Sequence, residues 1–254
     1  MTGAPPLEAF AWTAFAFILG AAVGSFLATI LIRWPEGRGV ARGRSACDHC
    51  GRTLRPRDLV PILSWFWVRG RCRHCGGAID RRHLAAEAGS AMIGLTAILA
   101  HPMPLALVTA VFGWWLFLIA ALDVEHEWLP DRLTWPLLAA GLAAGWGGFG
   151  APLEARAIGA VAGFASLWLI AAGYKAARGR EGLGGGDPKL FAAIGAWLGW
   201  AQLPLVLAGA GLIGLAALAL RRLKGEAVAA DDRLPLGALM ALAAWPLWIV
   251  TATP

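Results

Sequence analysis

Long apolar segments alternate with short polar ones along almost the whole chain. Eight apolar segments stand out, and they are too apolar on every side to be amphipathic surface helices. Uncharged apolar runs of about 18 or more residues are typical of membrane-spanning helices. The pattern therefore predicts an all-α, polytopic membrane protein with about eight transmembrane helices, of which the sixth is short. The predicted helices cover 9–32, 84–100, 105–123, 133–149, 157–174, 189–201, 203–220 and 234–252.

The composition supports a membrane protein and changes how its basic character is interpreted. Mean hydropathy is +0.62, and only 15% of the 254 residues are charged. The isoelectric point near 9.8 would suggest a nucleic-acid partner in a soluble protein. In a membrane protein an excess of Lys and Arg on the cytoplasmic side is the simpler explanation, so we expect no nucleic-acid partner. No Lys or Arg precedes the first apolar segment, which we therefore interpret as a retained helix and not as a cleaved signal.

The basic residues also predict the topology. The loop 33–83 holds 12 of the 22 Lys and Arg residues. If the eight helices alternate in direction, every other Lys or Arg except Arg156 falls on the same side as this loop. The positive-inside rule makes that side cytoplasmic, which leaves both termini periplasmic. We expect three parts: a first transmembrane helix (1–32), a cytoplasmic loop domain (33–83) and a seven-helix membrane domain (84–254).

The cytoplasmic loop contains the only four cysteines of the chain, in the segments CDHCG (47–51) and CRHCG (72–76). Two C-x2-C pairs suit a tetrahedral zinc ion. A loop of about 50 residues has too little core to fold unaided, so a structural metal would stabilise it. Two disulfides and two redox dithiols are the alternatives, and the cytoplasmic placement argues against disulfides. The predicted ligands are Cys47, Cys50, Cys72 and Cys75.

A few carboxylates lie at the ends of apolar segments, where ionisable groups are costly and often functional. Asp123 ends the third segment, Asp187 opens the sixth, and Glu87 lies within the second. The topology places them near the cytoplasmic face. Two aspartates in one site of low dielectric constant can share a proton and activate a water molecule, as in aspartic proteases. Asp187 is also suited to be a helix N-cap before Pro188, and intramembrane acids also serve ion relays, so the residues alone leave these functions open.

Four segments resemble the prepilin leader peptidases, the GxGD family of intramembrane aspartic proteases. They are GSFLATILIRWP (24–35), the two CxxC pairs, ALDVEHEWLPDRLTWP (121–136) and GLGGGDPKLFAAIGAWLGW (182–200). They follow the family order from the first helix to about residue 200. The third is similar to the D-x5-LPD segment of the family, and the fourth is similar to the segment from which the GxGD name derives.

The resemblance implies an endopeptidase of the bacterial inner membrane that uses Asp123 and Asp187. It implies cleavage of the basic leader of prepilins or pseudopilins after a glycine, on the cytoplasmic side. It also implies methylation of the new N-terminus with S-adenosylmethionine, and zinc at the four cysteines. In the fourth segment Gly184, Gly186 and Lys189 are expected to support the catalytic loop. Pro188 departs from the apolar residue expected there and lacks a backbone donor.

A basic leader needs an acidic surface, and the loop 33–83 carries only four acidic residues. Glu125, Glu127 and Asp131 are the candidates for contact with the leader, although the first two could be solvated loop charges and Asp131 a helix cap. The basic loop is expected to contact anionic lipid. Two rival functions stay open at this point: a membrane transporter that uses the acids as an ion relay, and a thiol–disulfide oxidoreductase that uses the CxxC pairs.

Overall fold

The structure is a computed structural model that describes residues 6–40, 44–226 and 234–252. Two of the basic residues that support the predicted topology, Arg42 and Arg233, lie outside the described residues, as do the chain ends. In the described ranges the chain is helical, with two isolated β-bridges and no strand. The helices are α1 (Pro6–Arg33), α2 (Leu63–Trp67), α3 (Arg81–Ala100), α4 (Leu105–His126), α5 (Asp131–Trp146), α6 (Leu153–Arg178), α7 (Asp187–Leu198), α8 (Leu203–Leu223) and α9 (Leu236–Thr251), with 3₁₀ turns at Pro56–Leu59 and Trp200–Gln202.

Eight of these helices coincide with the eight predicted segments, and α2 was not predicted. In the described residues, five segments have the length and hydropathy to cross a membrane: Leu7–Arg33, α3, α4, α6 and Trp200–Leu223. The protein is therefore a multi-pass membrane protein. At 1.5 Å per residue, the 12 residues of α7 reach only about 18 Å, well short of a hydrocarbon layer of about 30 Å. The count of eight full spans therefore stays a prediction.

The chain forms two compact units, Met1–Trp114 and Trp115–Pro254. In the first unit, α1 and α3 pack closely along small residues. A Cβ atom on Gly24 would collide with the carbonyl oxygen of Ala86, and one on Gly20 would collide with that of Ser90. Small residues at such positions allow two membrane helices to approach closely. The indole of Trp114 donates to the Ser90 carbonyl oxygen at 2.9 Å, which ties the first part of α4 to the same pair.

In the second unit, α7 lies at the centre, and every residue from Asp187 to Leu198 except Lys189 is buried. It packs against α5, α6 and α9. The contact with α6 uses glycines on both helices, because a Cβ atom on Gly159 or Gly195 would collide with the other helix's backbone. This burial explains why a short helix can reside inside a membrane protein: its neighbours, and not lipid, surround it.

Arg156 occupies the interior of the second unit, and its side chain is fully buried. Its guanidinium lies over the ring of Trp248, 5.5 Å from the centroid. Most of the carbonyl oxygens that accept hydrogen bonds from Arg156 lie in α5 or α7 or just after α5. Backbone dipoles near the ends of helices therefore compensate the positive charge of the guanidinium. The carbonyl oxygens that accept its hydrogen bonds belong to Ala151 (2.7 Å), Gly141 (2.7 Å), Ala196 (3.2 Å) and Phe149.

Candidate active site

Asp123 lies in the last turn of α4 and is 5% exposed. Its Oδ2 atom accepts a hydrogen bond from the backbone N–H of Ala238 at 2.8 Å. Ala238 belongs to the first turn of α9, where N–H groups have no partner within the helix. The carboxylate of Asp123 therefore satisfies a donor at the start of α9 and lies in the favourable field of that helix end.

Asp187 is the first residue of α7 and is 7% exposed. Its side chain turns back to the glycine loop, where Oδ2 accepts from the backbone N–H of Gly184 at 3.0 Å. The N-cap position of α7 is occupied by Gly186 and not by Asp187. Pro188 lies in the first turn of α7, where a missing N–H breaks no hydrogen bond within the helix. The carboxylate is therefore not used as an N-cap.

Leu129 connects the surroundings of the two aspartates. A Cβ atom on Gly186, next to Asp187, would lie 2.6 Å from the Cβ of Leu129. A Cβ atom on Gly237 would lie 2.8 Å from Leu129 Cδ2 and 2.9 Å from Asp123 Oδ2. The side chain of Leu129 thus fills the space between the two glycines, one of which adjoins Asp187 in sequence while the other lies against the Asp123 carboxylate.

The structure therefore brings together the two aspartates that the sequence predicted, and it adds Leu129 and Gly237. Neither residue was singled out from the sequence. Leu129 belongs to the LPD part of the 121–136 segment, which could have indicated it. Gly237 had no comparable signal, because its closeness to Asp123 depends on how α9 packs.

The other predicted acids have different surroundings. Asp131 forms an ion pair with Lys189, whose Nζ lies 2.6 Å and 2.9 Å from the two carboxylate oxygens. This pair joins the start of α5 to the first turn of α7. Glu125 and Glu127 are exposed just beyond Asp123, and the backbone N–H of Glu127 donates to the Asp123 carbonyl oxygen at 2.9 Å. Asp131 is therefore engaged by Lys189, and Glu125 lies near the imidazole of His126, with 3.7 Å between Oε2 and Nε2.

The four cysteines form one cluster in the first unit. Their sulfur atoms all lie within 4.8 Å of one another, and the Sγ atoms of Cys47 and Cys75 are 3.9 Å apart. A tetrahedral zinc site with bonds near 2.3 Å has sulfur atoms about 3.8 Å apart, so the cluster fits such an ion. The distance is far too long for a disulfide, and all four cysteines are free.

The two knuckles have matching backbones. Gly51 and Gly76 each have a positive φ, of 68° and 71°, and each donates its N–H to the carbonyl oxygen of the first cysteine in its pair. Backbone N–H groups of Cys75 and His74 donate to the sulfur of Cys72 and lower the pKa of that thiol to about 6. Desolvation and the neighbouring cysteine side chains in turn raise the pKa of the Cys75 thiol to about 11, so a bound cation would favour ionisation of the whole cluster.

A cavity of about 310 Å³ adjoins the cysteine cluster within the first unit. Its lining includes Thr29 of α1, Trp65 of α2 and Glu87 of α3. Glu87 is 7% exposed, and its Oε2 accepts from the backbone N–H of Ile62 at 2.7 Å. Glu87, a functional candidate in the sequence, thus has a structural role, because it ties the loop to α3.

Fold and site together define a polytopic helical membrane protein with two buried aspartates in one unit and a four-cysteine cluster in the other. A family model described as the Bacterial Peptidase A24 N-terminal domain matches residues 18–101, and one described as the Type IV leader peptidase family matches residues 110–219. The chain belongs to the type IV leader peptidase family.

Relatives named "Prepilin leader peptidase/N-methyltransferase" support the same conclusion. The protein of Dickeya chrysanthemi is 41% identical over 81% of this chain and 81% of its own length. That of Burkholderia pseudomallei (strain 1026b) is 40% identical over 94% of this chain and 87% of its own. That of Dichelobacter nodosus is 38% identical over 79% and 69%. No solved structure matches the chain. These findings favour a peptidase over the transporter that the sequence had left open.

Proposed function

We propose that this protein is an intramembrane aspartic endopeptidase that removes the basic leader of type IV prepilins or pseudopilins by cleavage after a glycine. The observation that carries the proposal is the pair of buried carboxylates, Asp123 and Asp187, each held by a backbone N–H donor. Both lie in the region that matches the type IV leader peptidase family. The names of the relatives support the choice of substrate.

The proposed chemistry needs one proton shared by the two aspartates. Two buried carboxylates of like charge do not both ionise easily, so the resting pair holds one proton. The ionised aspartate takes a proton from a water molecule, whose oxygen attacks the scissile carbonyl carbon. The protonated aspartate donates to the carbonyl oxygen. The C–N bond then breaks, the leaving nitrogen takes a proton, and the products are a leader carboxylate and a new N-terminal amine.

Contact with the leader is proposed for Glu125 and Glu127, because both are exposed at the end of α4 beyond Asp123. Asp131 stays in the proposed contact region, but its pairing with Lys189 suits it better to hold the starts of α5 and α7 together. Gly184 is proposed to support the loop before α7 because its N–H donates to Asp187. Gly186 is proposed to support it because its missing side chain leaves room for Leu129. Charge reversal of Glu125 and Glu127 to Lys should raise KM for a basic leader. An unchanged KM would contradict the contact.

The catalytic proposal is tested with Asp123→Asn and Asp187→Asn, each reconstituted in membranes and incubated with a prepilin. Both variants should insert normally and leave the leader attached, since an amide can neither accept nor supply the proton. Glu181→Gln is the matched control, because Glu181 lies in the loop before α7 and its side chain is 76% exposed. The mass of the prepilin reports cleavage. Normal cleavage by both asparagine variants would contradict the proposal.

Zinc is proposed as the ion that the four cysteines hold, with a structural role. The sulfur spacing fits a tetrahedral site, and four thiolates leave no open position for a reacting water. The cysteines would hold the two knuckles together in a loop with little core of its own. Purified wild-type protein should contain one zinc ion per chain, whereas Cys50→Ser should lose most of it. Asp48→Asn, a change between two of the ligands that removes no sulfur, should keep it.

Methylation of the new N-terminus is proposed as the second activity, with S-adenosylmethionine supplying the methyl group. The cavity of the first unit has the size of small-molecule sites, about 300–1,000 Å³. Its lining offers carboxylates (Asp80 and Glu87) for cationic groups, a guanidinium (Arg33) for a carboxylate, and an indole (Trp65) for stacking. Thr29→Trp should fill the cavity and abolish methylation while cleavage continues. Thr13→Trp, also on α1 but away from the cavity, should retain both.

We also place the protein in the bacterial inner membrane with the cysteine loop and the aspartates on the cytoplasmic side, both termini periplasmic, and the basic loop near lipid. The charge distribution supports this topology. A membrane-impermeant maleimide, applied after chelation of zinc, should label the cysteines only when it has access to the cytoplasmic side. Labelling from the periplasmic side would contradict the topology and would favour the oxidoreductase.

A further inference from the structure

Four large apolar side chains are exposed together in the cysteine loop. They are Leu59, at 42% exposed, and three residues of α2: Leu63 at 52%, Phe66 at 59% and Trp67 at 61%. Phe66 and Trp67 lie three and four residues after Leu63, which places both beside Leu63 on one side of the helix. We call these four side chains the α2 patch. A contiguous exposed apolar patch in a polar loop indicates a surface that binds something apolar.

The opposite side of α2 is already occupied. Trp65 lines the cavity of the first unit, and its ring packs so closely on Gly70 that a Cβ atom there would lie 2.8 Å away. The helix is therefore fixed in rotation: Trp65 points to the protein, and the α2 patch points away from it. Within the described residues of this loop, the α2 patch thus faces outward from a helix whose orientation is fixed by Trp65.

A hydrogen bond fixes the start of α2 beside a candidate membrane helix. Ile62, the residue before α2, donates its backbone N–H to Glu87 at 2.7 Å. Glu87 lies six residues into α3, a candidate membrane span, which corresponds to about 9 Å along the helix axis. The start of α2 therefore lies beside the second turn of a helix that is long and apolar enough to cross a membrane.

The backbone turns sharply at both ends of α2, and basic residues lie on either side of the α2 patch. Ile62 has φ of 63° and Arg69 has φ of 51°, so both ends of α2 turn sharply through a region that residues with side chains rarely adopt. Exposed arginines flank the patch on both sides: Arg55 and Arg57 precede it, and Arg69 follows it. Leucine, phenylalanine and tryptophan between arginines are the composition of interfacial helices that bind anionic lipid.

We propose that the α2 patch inserts into the bilayer leaflet on the side of the cysteine loop, with anionic phospholipid as its preferred partner. Leu59, Leu63, Phe66 and Trp67 lie among the upper acyl chains, and the three arginines meet phosphate groups. The loop is then held by lipid as well as by its two flanking helices. This anchoring does not depend on the proposed catalytic function, because it follows from the first unit alone.

The test uses the full-length protein with the photo-crosslinker p-benzoylphenylalanine at Phe66, reconstituted in vesicles that contain phosphatidylglycerol. Asp48, an exposed residue of the same loop, carries the crosslinker in the control. Mass spectrometry should find a phospholipid adduct at position 66 and little at position 48. Equal yields at both positions, or no lipid adduct at 66, would overturn the proposal. A crosslink from 66 to added prepilin in place of lipid would assign the patch to substrate and overturn it too.

The anionic preference has its own test. Replacing Arg55, Arg57 and Arg69 with Gln should lower the lipid adduct at position 66 at least fivefold in phosphatidylglycerol vesicles, since each arginine near an anionic surface is worth roughly fivefold in occupancy. Wild-type protein in phosphatidylcholine vesicles should show a similar fall. Circular dichroism and zinc content should match the wild type. An adduct yield that responds to neither change would overturn the role of the arginines and the preference for anionic lipid.

Discussion

The substitution Gly237→Ala should have two separate effects: it should stabilise helix α9, and it should displace the carboxylate of Asp123. Gly237 lies in the first turn of α9, where alanine is a better helix former than glycine by about 1 kcal/mol. The new methyl group would, however, lie 2.9 Å from Asp123 Oδ2 and 2.8 Å from Leu129 Cδ2. Ordinary contacts of this kind begin at about 3.4 Å, so the carboxylate must move by about half an ångström. A misplacement of about 1 Å can lower a rate about 100-fold, and half that distance suggests a fall of about tenfold in kcat.

The assay compares kcat for leader removal with the temperature of unfolding. Gly237→Ala should lose about tenfold in kcat, with KM nearly unchanged and thermal stability equal to or above that of the wild type. Gly211→Ala is the matched control: Gly211 lies within α8, and a Cβ atom there would meet nothing within 4 Å. It should gain helix stability and keep full activity. A Gly237→Ala variant with the wild-type kcat would show that catalysis does not require Asp123 to occupy this position.

Three further changes test the framework around the site. Arg156→Met should leave the carbonyl oxygens around it without their donor, at a cost of about 1–3 kcal/mol for each one left unsatisfied; since 1 kcal/mol shifts the midpoint of a domain this size by about 2–4 °C, unfolding should occur on the order of 10 °C lower, and an unchanged midpoint would contradict its structural role. Leu129→Ala should lower cleavage but leave methylation of a pre-cleaved pilin intact, and a parallel loss of both would indicate general unfolding. Glu87→Ala should speed hydrogen exchange at the Ile62 amide about tenfold, because it removes an acceptor whose charge-assisted bond is worth about 1.5 kcal/mol; equal exchange would show that Glu87 does not hold the loop.

The helices could be predicted from the sequence because each long one is apolar on every side. The predicted segment 105–123 and the observed α4 begin at the same residue, and the two prolines of HPMP (101–104) explain why, because proline disrupts a helix interior. The α2 helix escaped prediction because five residues are too few to show a period, and because its tryptophans and phenylalanine resemble any short apolar run. The short length of α7 was visible in the sequence, but its central burial was not.

The aspartates could be predicted because a carboxylate at the end of an apolar helix is rare enough to need a reason. What holds them could not be predicted. The donors to Asp123 and Asp187 are backbone N–H groups of Ala238 and Gly184, and no side-chain pattern marks a peptide group. Asp131 and Lys189 are 58 residues apart, so their ion pair depends on the packing of α5 against α7. Residue types thus indicated the candidate site, and helix packing determined which groups its side chains contact.

That peptide groups hold both aspartates affects how this site tolerates change over evolutionary time. Every amino acid except proline carries a backbone N–H, so a substitution at position 238 keeps the donor as long as the backbone path survives. Position 184 is more restricted, because a Cβ atom there would lie 3.1 Å from Asp187 Oδ2. The position of the Asp123 carboxylate is therefore insulated from many changes in the side chain of its donor residue. Shifts of whole helices would disturb the two carboxylates more. A larger side chain at Gly186 or Gly237 should therefore be less tolerated than a change of polarity at a neighbouring residue.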